Sequence, residues 1–189
     1  MQRPIPAVLC FFALCLVAMS LPASVHLARA RAQSPESDSS LAKLTPFVGK
    51  WRAAGEMKDT AYSKARPSVS ENTCDWSANR GFLICDQIIQ SASGPKNDLS
   101  IYTYNDKDHA FAFFGLSRND SEPRATKLTV EGDLWTYWDE EDDHGKHVRF
   151  RTTNRFTSPS TMVWRSEFSE DEVRWVLMGE GQDTRINKP

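Results

Sequence analysis

The segment TCDWSANRGFLICD, residues 73–86, is typical of two β-strands joined by a polar turn. A hairpin centred on the Asn79–Arg80 bond places Cys74 directly opposite Cys85, because the strands then extend equally on both sides of the turn. A three-residue loop with Gly81 in the left-handed conformation would instead shift the register by one residue. Both arrangements predict an antiparallel pair of strands.

The alternation of apolar and polar residues continues from residue 50 almost to the end of the chain. Turn-forming residues interrupt it at short intervals, and no long helical pattern lies between the interruptions. The sequence therefore predicts ten short strands, at residues 50–58, 69–76, 82–90, 99–104, 109–116, 125–131, 134–139, 147–156, 162–168 and 173–178.

Short strands with tight turns indicate an all-β fold built as an antiparallel up-and-down meander. Such a meander protects its edges by closing into a barrel or folding into a sandwich, and we expect a barrel of about 8–10 strands. Before the first strand, Leu41, Leu44 and Phe47 have the spacing of a short helix, which Pro46 limits to a turn or two. No internal repeat is present, so residues 41–189 are predicted to form one domain.

The first 32 residues have the features of a cleavable secretory signal peptide. Arg3 gives a positive start, residues 7–19 are all apolar, and small residues precede two alternative cleavage sites, after Ala30 and after Ala32. The apolar run is too short to span roughly 30 Å of hydrocarbon as a helix, although an uncleaved membrane anchor is the alternative. We therefore expect a periplasmic or secreted protein.

Cleavage after residue 32 leaves 157 residues, of which 33–40 are polar and are predicted to be a disordered leader. The remaining 20 basic and 25 acidic residues give a formal charge of −5 at pH 7 with His neutral. A mildly acidic chain without a basic run offers little to a phosphate backbone, so we expect no nucleic-acid partner. No later apolar stretch approaches the length of a membrane helix, so no membrane span is expected after cleavage.

Cleavage also removes Cys10 and Cys15 and leaves Cys74 and Cys85 as a matched pair. An even number of cysteines in an oxidising compartment favours a disulfide. The hairpin register that places them opposite one another agrees with this prediction. Two inert buried thiols are the alternative.

Two motifs at opposite ends of the predicted domain resemble the calycin superfamily of lipocalins and fatty-acid-binding proteins. Gly49-Lys50-Trp51 follows a short apolar helical turn and opens the first strand, and residues 181–185 close the last one. In that superfamily the first-strand Trp closes one end of the barrel, and a basic residue of the last strand packs across its ring. The resemblance implies a lipocalin-like barrel in which Trp51 and Arg185 form this pair.

The chain is also similar to a narrower group of exported bacterial proteins of unknown function with a lipocalin-like barrel. In that group a Gly usually stands where this chain has Glu172, so a different turn type is expected there. The resemblance spans about residues 41–185 and implies a fold rather than a ligand. Its motifs correspond here to residues 47–51, 74–76, 81–83, Cys85, 102–104, 167–169, Trp175 and 180–181.

Aromatic side chains are the most informative candidates for a binding site. A barrel of this size can enclose a small apolar ligand, and polar residues alternate with the apolar ones along the strands. Core packing alone would also explain any single one of these side chains. The candidate ligand-binding residues are Trp76, Tyr102, Tyr104, Phe113, Trp135, Trp138 and Trp164.

One face of the cysteine hairpin mixes apolar side chains with carboxylates. Phe82, Ile84 and Ile88 share this face with Asp86 and Glu71, opposite the face that carries the cysteines. It suits either a cavity wall for an amphipathic ligand or a hydrated outer surface. If it faced inward, Glu71 and Asp86 could act as an acid and a base.

No catalytic, metal or cofactor motif stands out. The serines lack a nucleophile elbow, and the nine glycines are not grouped into a phosphate-binding loop. The acidic run 139–143 is interpreted as a solvated hairpin tip rather than a calcium loop. His144 and His147 could ligate zinc or copper but lack a third fixed ligand. We therefore expect no catalytic residue, no metal and no cofactor.

The leading hypothesis is an exported, non-enzymatic protein that carries or senses a small apolar or amphipathic molecule. The alternative is a structural or interaction module of the cell envelope with a filled core, and a barrel-borne hydrolase or isomerase comes third. An open cavity lined by aromatic and buried polar groups would favour the carrier. Two carboxyl groups close together inside it, one with a raised pKa, would favour the enzyme.

Overall fold

The computed structural model describes residues 40–118 and 122–186. The predicted signal peptide and all but the last residue of the predicted leader lie outside these ranges. No helix among the described residues is long and apolar enough to cross a membrane. The ordered elements are a 3-10 turn at Thr45–Phe47 and the strands β1 Gly49–Met57, β2 Arg66–Trp76, β3 Leu83–Gln90, β4 Lys96–Asn105, β5 Ala110–Ser117, β6 Arg124–Glu131, β7 Leu134–Asp143, β8 Lys146–Ser158, β9 Thr161–Ser169 and β10 Val176–Arg185.

Each strand pairs antiparallel with the next one in the chain, and β1 pairs with β10. The sheet is therefore a closed barrel of ten strands. The closing ladder runs from Trp51 opposite Arg185 to Met57 opposite Gly179. Closure leaves no sheet edge with unpaired backbone groups. The predicted fold class, an all-β up-and-down barrel with a short helix before the first strand, is confirmed.

The last strand lies further along the chain than its apolar residues indicate. The pattern predicts residues 173–178, whereas β10 is Val176–Arg185. Asp171 Oδ1 accepts hydrogen bonds from the backbone N–H groups of Val173 and Arg174, at 3.0 and 2.7 Å. These bonds hold the residues before β10 in a turn, which delays the start of the strand.

The acidic residues 139–143 correct another prediction, because they form the second half of β7 rather than a hairpin tip. Basic side chains face them on β8, with Glu140 opposite Arg149 and Asp143 opposite Lys146. Opposite charges on paired strands stabilise the ladder and allow an acidic segment to remain extended. The turn itself contains only the next two residues, both with positive φ as in a type I′ turn.

The hairpin between β2 and β3 has the register that its sequence predicts. Cys74 lies opposite Cys85, and the two form a disulfide. The positive φ of the turn falls on Arg80, at 55°, and not on Gly81, so the register shift of the three-residue loop does not occur. Asn79 Oδ1 accepts a hydrogen bond from Gly81 N at 3.1 Å and steadies the turn. The predicted disulfide is confirmed, and such a bond is typical of an oxidising compartment.

One end of the barrel is closed by the residues that precede β1. Leu44 is fully buried there, and the ring of Phe47 contacts Trp135 and Phe156 edge-on at 4.8 and 4.9 Å between centroids. Leu83 is likewise fully buried in this cluster. The apolar core is therefore concentrated at this closed end, where edge-to-face aromatic pairs add to the burial of apolar area.

Trp51 and Arg185 join this closed end to the barrel wall. Trp51 Nε1 donates a hydrogen bond to the carbonyl oxygen of Phe47 at 2.8 Å. Arg185 lies over the Trp51 ring, with Cζ 4.3 Å from its centroid, and donates hydrogen bonds to the carbonyl oxygens of Pro46 and Val48. The structure thus brings together the two residues predicted as the barrel-closing pair.

Loss of the disulfide should lower the free energy of unfolding by roughly 3 kcal/mol, because the bond joins cysteines 11 residues apart and restricts the unfolded chain. The measurement compares guanidinium unfolding of the oxidised protein with that of the Cys74→Ala, Cys85→Ala double variant. Reduced protein of the natural sequence is the control for the change of side chain. Two thiols that label in the unfolded protein without reductant would contradict the bond.

Candidate functional site

The interior of the barrel holds a cavity of about 470 Å³. Side chains alternate between the two faces of a strand, so every second residue of each strand faces this space. The volume lies within the range of natural ligand pockets, about 300–1,000 Å³. The barrel is therefore packed at its closed end and open above it.

The wall of the cavity combines apolar and small polar side chains. Its large apolar members are Phe47 and Trp51 at the closed end and Phe113, Phe150 and Trp164 above them, and the disulfide Cys74–Cys85 also faces inward. This mixture suits a ligand with both apolar surface and hydrogen-bonding groups. Apart from the tyrosines, the uncharged polar side chains of the described wall are Ser68, Ser70, Asn72, Gln87, Ser100, Thr126, Thr152, Asn154 and Ser166.

Polar side chains meet next to the closed end of the cavity. The hydroxyl groups of Tyr102 and Tyr137 lie 3.1 Å apart, and Asn154 Nδ2 donates to the Tyr137 hydroxyl at 3.5 Å. Burial raises the pKa of Tyr102 to about 12 and that of Tyr137 well above its ordinary value of 10, and the charge of Asp183 adds to both shifts. Both tyrosines therefore remain neutral hydroxyl groups at physiological pH.

Among the described residues that line the cavity, Asp183 is the one buried carboxyl group. It is 6% exposed, and its Oδ1 has no hydrogen-bond partner among the described residues. Burial raises its pKa to about 6, so the group is largely ionised at pH 7. A buried ionised carboxylate without a partner costs folding free energy. Such a group beside a cavity marks a place where a ligand can supply the missing partner.

Trp164 can lie against the wall because the adjacent strands carry glycine. A Cβ atom on Gly55 would lie 2.6 Å from Cζ2 of Trp164, and one on Gly181 would lie 2.7 Å from Cε2. Contacts this short are not tolerated, so these two positions admit the indole only without a side chain of their own. The glycines of β1 and β10 thereby fix the position of a large aromatic surface in the cavity.

The opposite end of the barrel carries the loop between β1 and β2, residues 58–65. Tyr62 of this loop packs edge-on against Phe150 and Phe168, with centroids 5.5 and 4.7 Å apart. Its hydroxyl group donates a hydrogen bond to Glu170 Oε1 at 3.0 Å. Because Phe150 lines the cavity, the loop lies next to the cavity wall, beside β8 and β9.

Six of the seven predicted ligand-binding residues point to the interior, but only three line the cavity, namely Tyr102, Phe113 and Trp164. The other three pack at the closed end: Trp135 is 2% exposed among apolar side chains, and Trp76 and Tyr104 pack against that cluster. These three aromatic side chains fill the barrel rather than leave space for a ligand.

Trp138 requires a correction, because it lies on the outer face of β7. Its neighbours in the chain face inward, so strict alternation turns it outward. There its indole Nε1 donates to Thr129 Oγ1 at 3.2 Å, and its ring contacts Trp175 edge-on at 5.9 Å. The Arg149 guanidinium lies over the ring at 5.5 Å. A cation–π contact and an edge-to-face pair, not a ligand, account for this tryptophan.

The mixed face of the cysteine hairpin is the hydrated outer surface. The cysteines line the cavity, so the opposite face points away from it, and Phe82 and Ile88 are 43% and 44% exposed. Glu71 forms an ion pair with Lys50 on this outer face, at 3.1 Å. Glu71 and Asp86 therefore cannot act as an acid and a base inside the barrel.

The sequence interpretation missed Asp183, Tyr137 and Asn154 as cavity residues. A signal for Asp183 was present, because a basic residue at position 185 that closes the barrel over Trp51 must face inward. Alternation then places residue 183 on the same face.

The hairpin histidines interact with carboxylates next to them. His144 Nδ1 lies 2.6 Å from Asp143 Oδ1, and His147 Nδ1 lies 3.1 Å from Asp142 Oδ1. The Asp143 hydrogen bond raises the pKa of His144. Across residues 40–118 and 122–186, no group of three His, Cys, Asp or Glu side chains has an arrangement that could hold a metal ion.

Comparison with known proteins finds similarity of structure only. No family model and no curated protein matches the sequence. Eighteen chains of known structure match the fold. One is the crystal structure of Rv2717c from M. tuberculosis, with 13% identity, a TM-score of 0.53, and coverage of 82% of this chain and 99% of that one. Another is the S-type phycobiliprotein lyase CPES from Guillardia theta, with 12% identity, a TM-score of 0.53, and coverage of 78% and 93%.

At this level of identity the likeness shows the fold alone. The chain is a closed barrel of ten antiparallel strands, and the resemblance of its first and last motifs to the calycin superfamily stays a prediction. The narrower resemblance to one group of exported bacterial proteins stays a prediction.

Asp183→Asn should make the protein more stable at pH 7.5, by about 1–3 kcal/mol, and the gain should disappear at low pH. The pKa of Asp183 is about 6 in the folded protein, against an ordinary value of 3.8. The free energy of unfolding of the parent protein therefore falls as pH rises from 4 through 6, because the carboxyl group ionises less readily when it is buried. Urea unfolding of both proteins between pH 4 and 8 measures the difference. A constant difference over this range would contradict the burial of an uncompensated charge.

Gly55→Ala should destabilise the protein by about 1–3 kcal/mol, because the new methyl group forces Trp164 and the β10 backbone to move. The shift should appear in tryptophan fluorescence as well as in the melting temperature. Gly115→Ala is the matched control, since its nearest side-chain atom, in Phe113, is 3.7 Å away. Equal melting temperatures for the two variants would show that the glycine does not support the indole.

Proposed function

We propose that this chain is an exported binding protein that holds one small amphipathic molecule inside its barrel, and so carries or senses it. The observation that supports this proposal most directly is the cavity of about 470 Å³, with aromatic walls and an uncompensated carboxyl group at its inner end. Apolar walls provide affinity through burial of ligand surface, and a few polar groups determine orientation.

A filled structural module is the weaker alternative for this interior. Packing in such a module would extend from the closed end through the whole barrel, to the density of a normal protein core. Here the buried cluster around Leu44 and Trp135 occupies only one end. Above it the inward-facing residues include many small polar side chains, which are poor core fillers but suitable partners for a ligand.

The proposal is one of binding without chemical change. The described residues of the lining include two carboxyl groups, Asp139 and Asp183. Asp139 is held by an ion pair with Arg124, which leaves a single free acid and no acid–base pair. The buried tyrosines are neutral and hydrogen-bonded to one another, so they favour recognition over nucleophilic attack.

Export is part of the proposal and rests on different observations. The N-terminal residues have the pattern of a signal peptide, and the disulfide suits an oxidising compartment. The resemblance to exported bacterial proteins with lipocalin-like barrels agrees with export. The structural neighbour named as a phycobiliprotein lyase shares the fold at 12% identity, so the ligand must be inferred from the cavity of this chain.

Binding of N-phenyl-1-naphthylamine, a neutral aromatic probe that fluoresces in apolar surroundings, tests the cavity. We expect a rise in fluorescence with the natural sequence and at least tenfold weaker binding by Ser100→Trp, because Ser100 lines the cavity and an indole there would occupy it. Thr73→Trp, on the exposed outer face of β2, is the matched control and should bind like the parent.

Melting curves must show that both tryptophan variants are folded before their binding is compared. Native mass spectrometry of protein purified from its own envelope is the complementary measurement, and a co-purifying small molecule is expected. A clean apo mass together with no probe binding would contradict the proposed function. Equal binding by both variants would place the probe outside the barrel.

A further inference from the structure

We propose that the cavity selects a cation: the ligand is an amphipathic amine whose protonated nitrogen lies beside Asp183 and whose aromatic or alkyl body occupies the wall. This inference rests on the proposed function and names the chemical class of its ligand. It follows from the charge of the lining, the isolation of one carboxylate and the groups around it.

The lining carries negative charge and no positive charge. Its described residues include Asp139 and Asp183 but no Lys, Arg or His. Arg124 forms an ion pair with Asp139 and so balances that charge.

Arg185 also faces inward, but its guanidinium lies over Trp51 at the closed end and donates to the carbonyl oxygens of Pro46 and Val48. Among the described residues that line the cavity, Asp183 is therefore the carboxylate without an ion pair. A carboxylate ligand would be repelled there, whereas an ammonium group would be attracted.

Asp183 already bears the cost of burial before any ligand arrives. At 6% exposure it has lost most of its hydration, and its Oδ1 finds no replacement partner in the described part of the chain. A cationic ligand gives this carboxylate a partner. Binding does not require a second charged group of the protein to lose its water. An ammonium group adds the attraction of its positive charge to each hydrogen bond that it donates to the carboxylate. An alcohol would donate one hydrogen bond to the carboxylate but would leave the negative charge uncompensated.

The neighbouring groups suit an ammonium ion with several N–H donors. Tyr102, Tyr137 and Asp183 line the same cavity, and the charge of Asp183 adds to the rise in the pKa of both tyrosines. The hydroxyl oxygens of the tyrosines can accept hydrogen bonds that the carboxylate leaves unmade. Phe113, Phe150 and Trp164 then provide apolar surface for the body of the ligand.

Three probes with one common body test the selectivity: 4-phenylbutylamine, 4-phenylbutan-1-ol and 4-phenylbutyrate. Each is titrated into the protein by calorimetry and by displacement of N-phenyl-1-naphthylamine at pH 7.5. We expect the amine to bind at least tenfold more tightly than the alcohol, and the carboxylate to bind most weakly. Asp183→Asn should weaken the amine at least tenfold and change the alcohol less than twofold.

Asp86→Asn is the matched control, because it removes one negative charge from the outer face of β3 and leaves the cavity unchanged. It should leave all three affinities within twofold of the parent. If it weakened the amine as much as Asp183→Asn does, the preference would come from net charge and not from the cavity. Unchanged binding of the neutral naphthylamine probe by Asp183→Asn shows that the variant is folded with an intact barrel.

A second measurement uses pH. The amine remains protonated at both pH 7.5 and pH 4.5, whereas Asp183, with a pKa of about 6, becomes neutral at the lower value. The charged and titratable groups on the same inner surface are Tyr102, Tyr137, the Arg124–Asp139 pair and, at the closed end, Arg185. The ratio of amine to alcohol affinity should fall at least fivefold at pH 4.5 in the parent protein and stay constant in Asp183→Asn.

The outcomes separate this inference from the function on which it rests. Equal affinities for amine and alcohol in the parent protein, with binding of the naphthylamine probe intact, would overturn the selectivity and leave the proposed cavity function standing. Failure of all four compounds to bind would overturn both. The proposed site would be supported if Asp183→Asn lost the preference for the amine while the parent protein and Asp86→Asn kept it.

Discussion

Pairing of β1 with β10 closes the sheet, and this closure requires the two ends of the folded domain to meet. Trp51 and Arg185 are opposite one another in that ladder, with the guanidinium over the indole. Arg185 also donates hydrogen bonds to backbone carbonyls more than 130 residues earlier in the chain. Without the ladder between β1 and β10 the sheet would have two free edges, and the interior would open to solvent.

A closed barrel of ten strands encloses more space than its inward-facing side chains fill. The residues before β1 cover one end, and Phe47 and Leu44 gather the aromatic side chains there into a dense cluster. The remaining interior is free to hold small polar side chains that a solid core would exclude. Closure therefore separates the molecule into an end that stabilises the fold and a cavity that is available for binding.

Alternation in the sequence predicts the ten strands and the β2–β3 register, but it leaves open which face of each strand points inward. A shift by one residue exchanges the faces, as Trp138 and the outer surface around Asp86 show. Contacts between residues on different strands, such as the disulfide and the Trp51–Arg185 pair, determine which face of each strand points into the barrel. Cross-strand charges likewise extend β7 into an acidic segment that local propensity assigns to a turn.

Glu167 and Asp183 are equally buried, at 6% exposure, and show what a structural acid requires. Burial opposes ionisation of Glu167, but hydrogen bonds from Arg151 and Arg165, at 2.7 and 2.9 Å, outweigh it and hold the pKa below its ordinary value. That carboxylate joins neighbouring strands.

Asp183 has no such bonds, and burial alone raises its pKa. It therefore weakens the fold at neutral pH, whereas an amide or an apolar side chain of similar size would not carry this charge into the barrel. Such a group does not serve the fold, so we attribute it to binding. No Lys, Arg or His is among the described residues that line the cavity, and Arg185 is held at the closed end, so a cation from solution is the partner that suits this carboxylate.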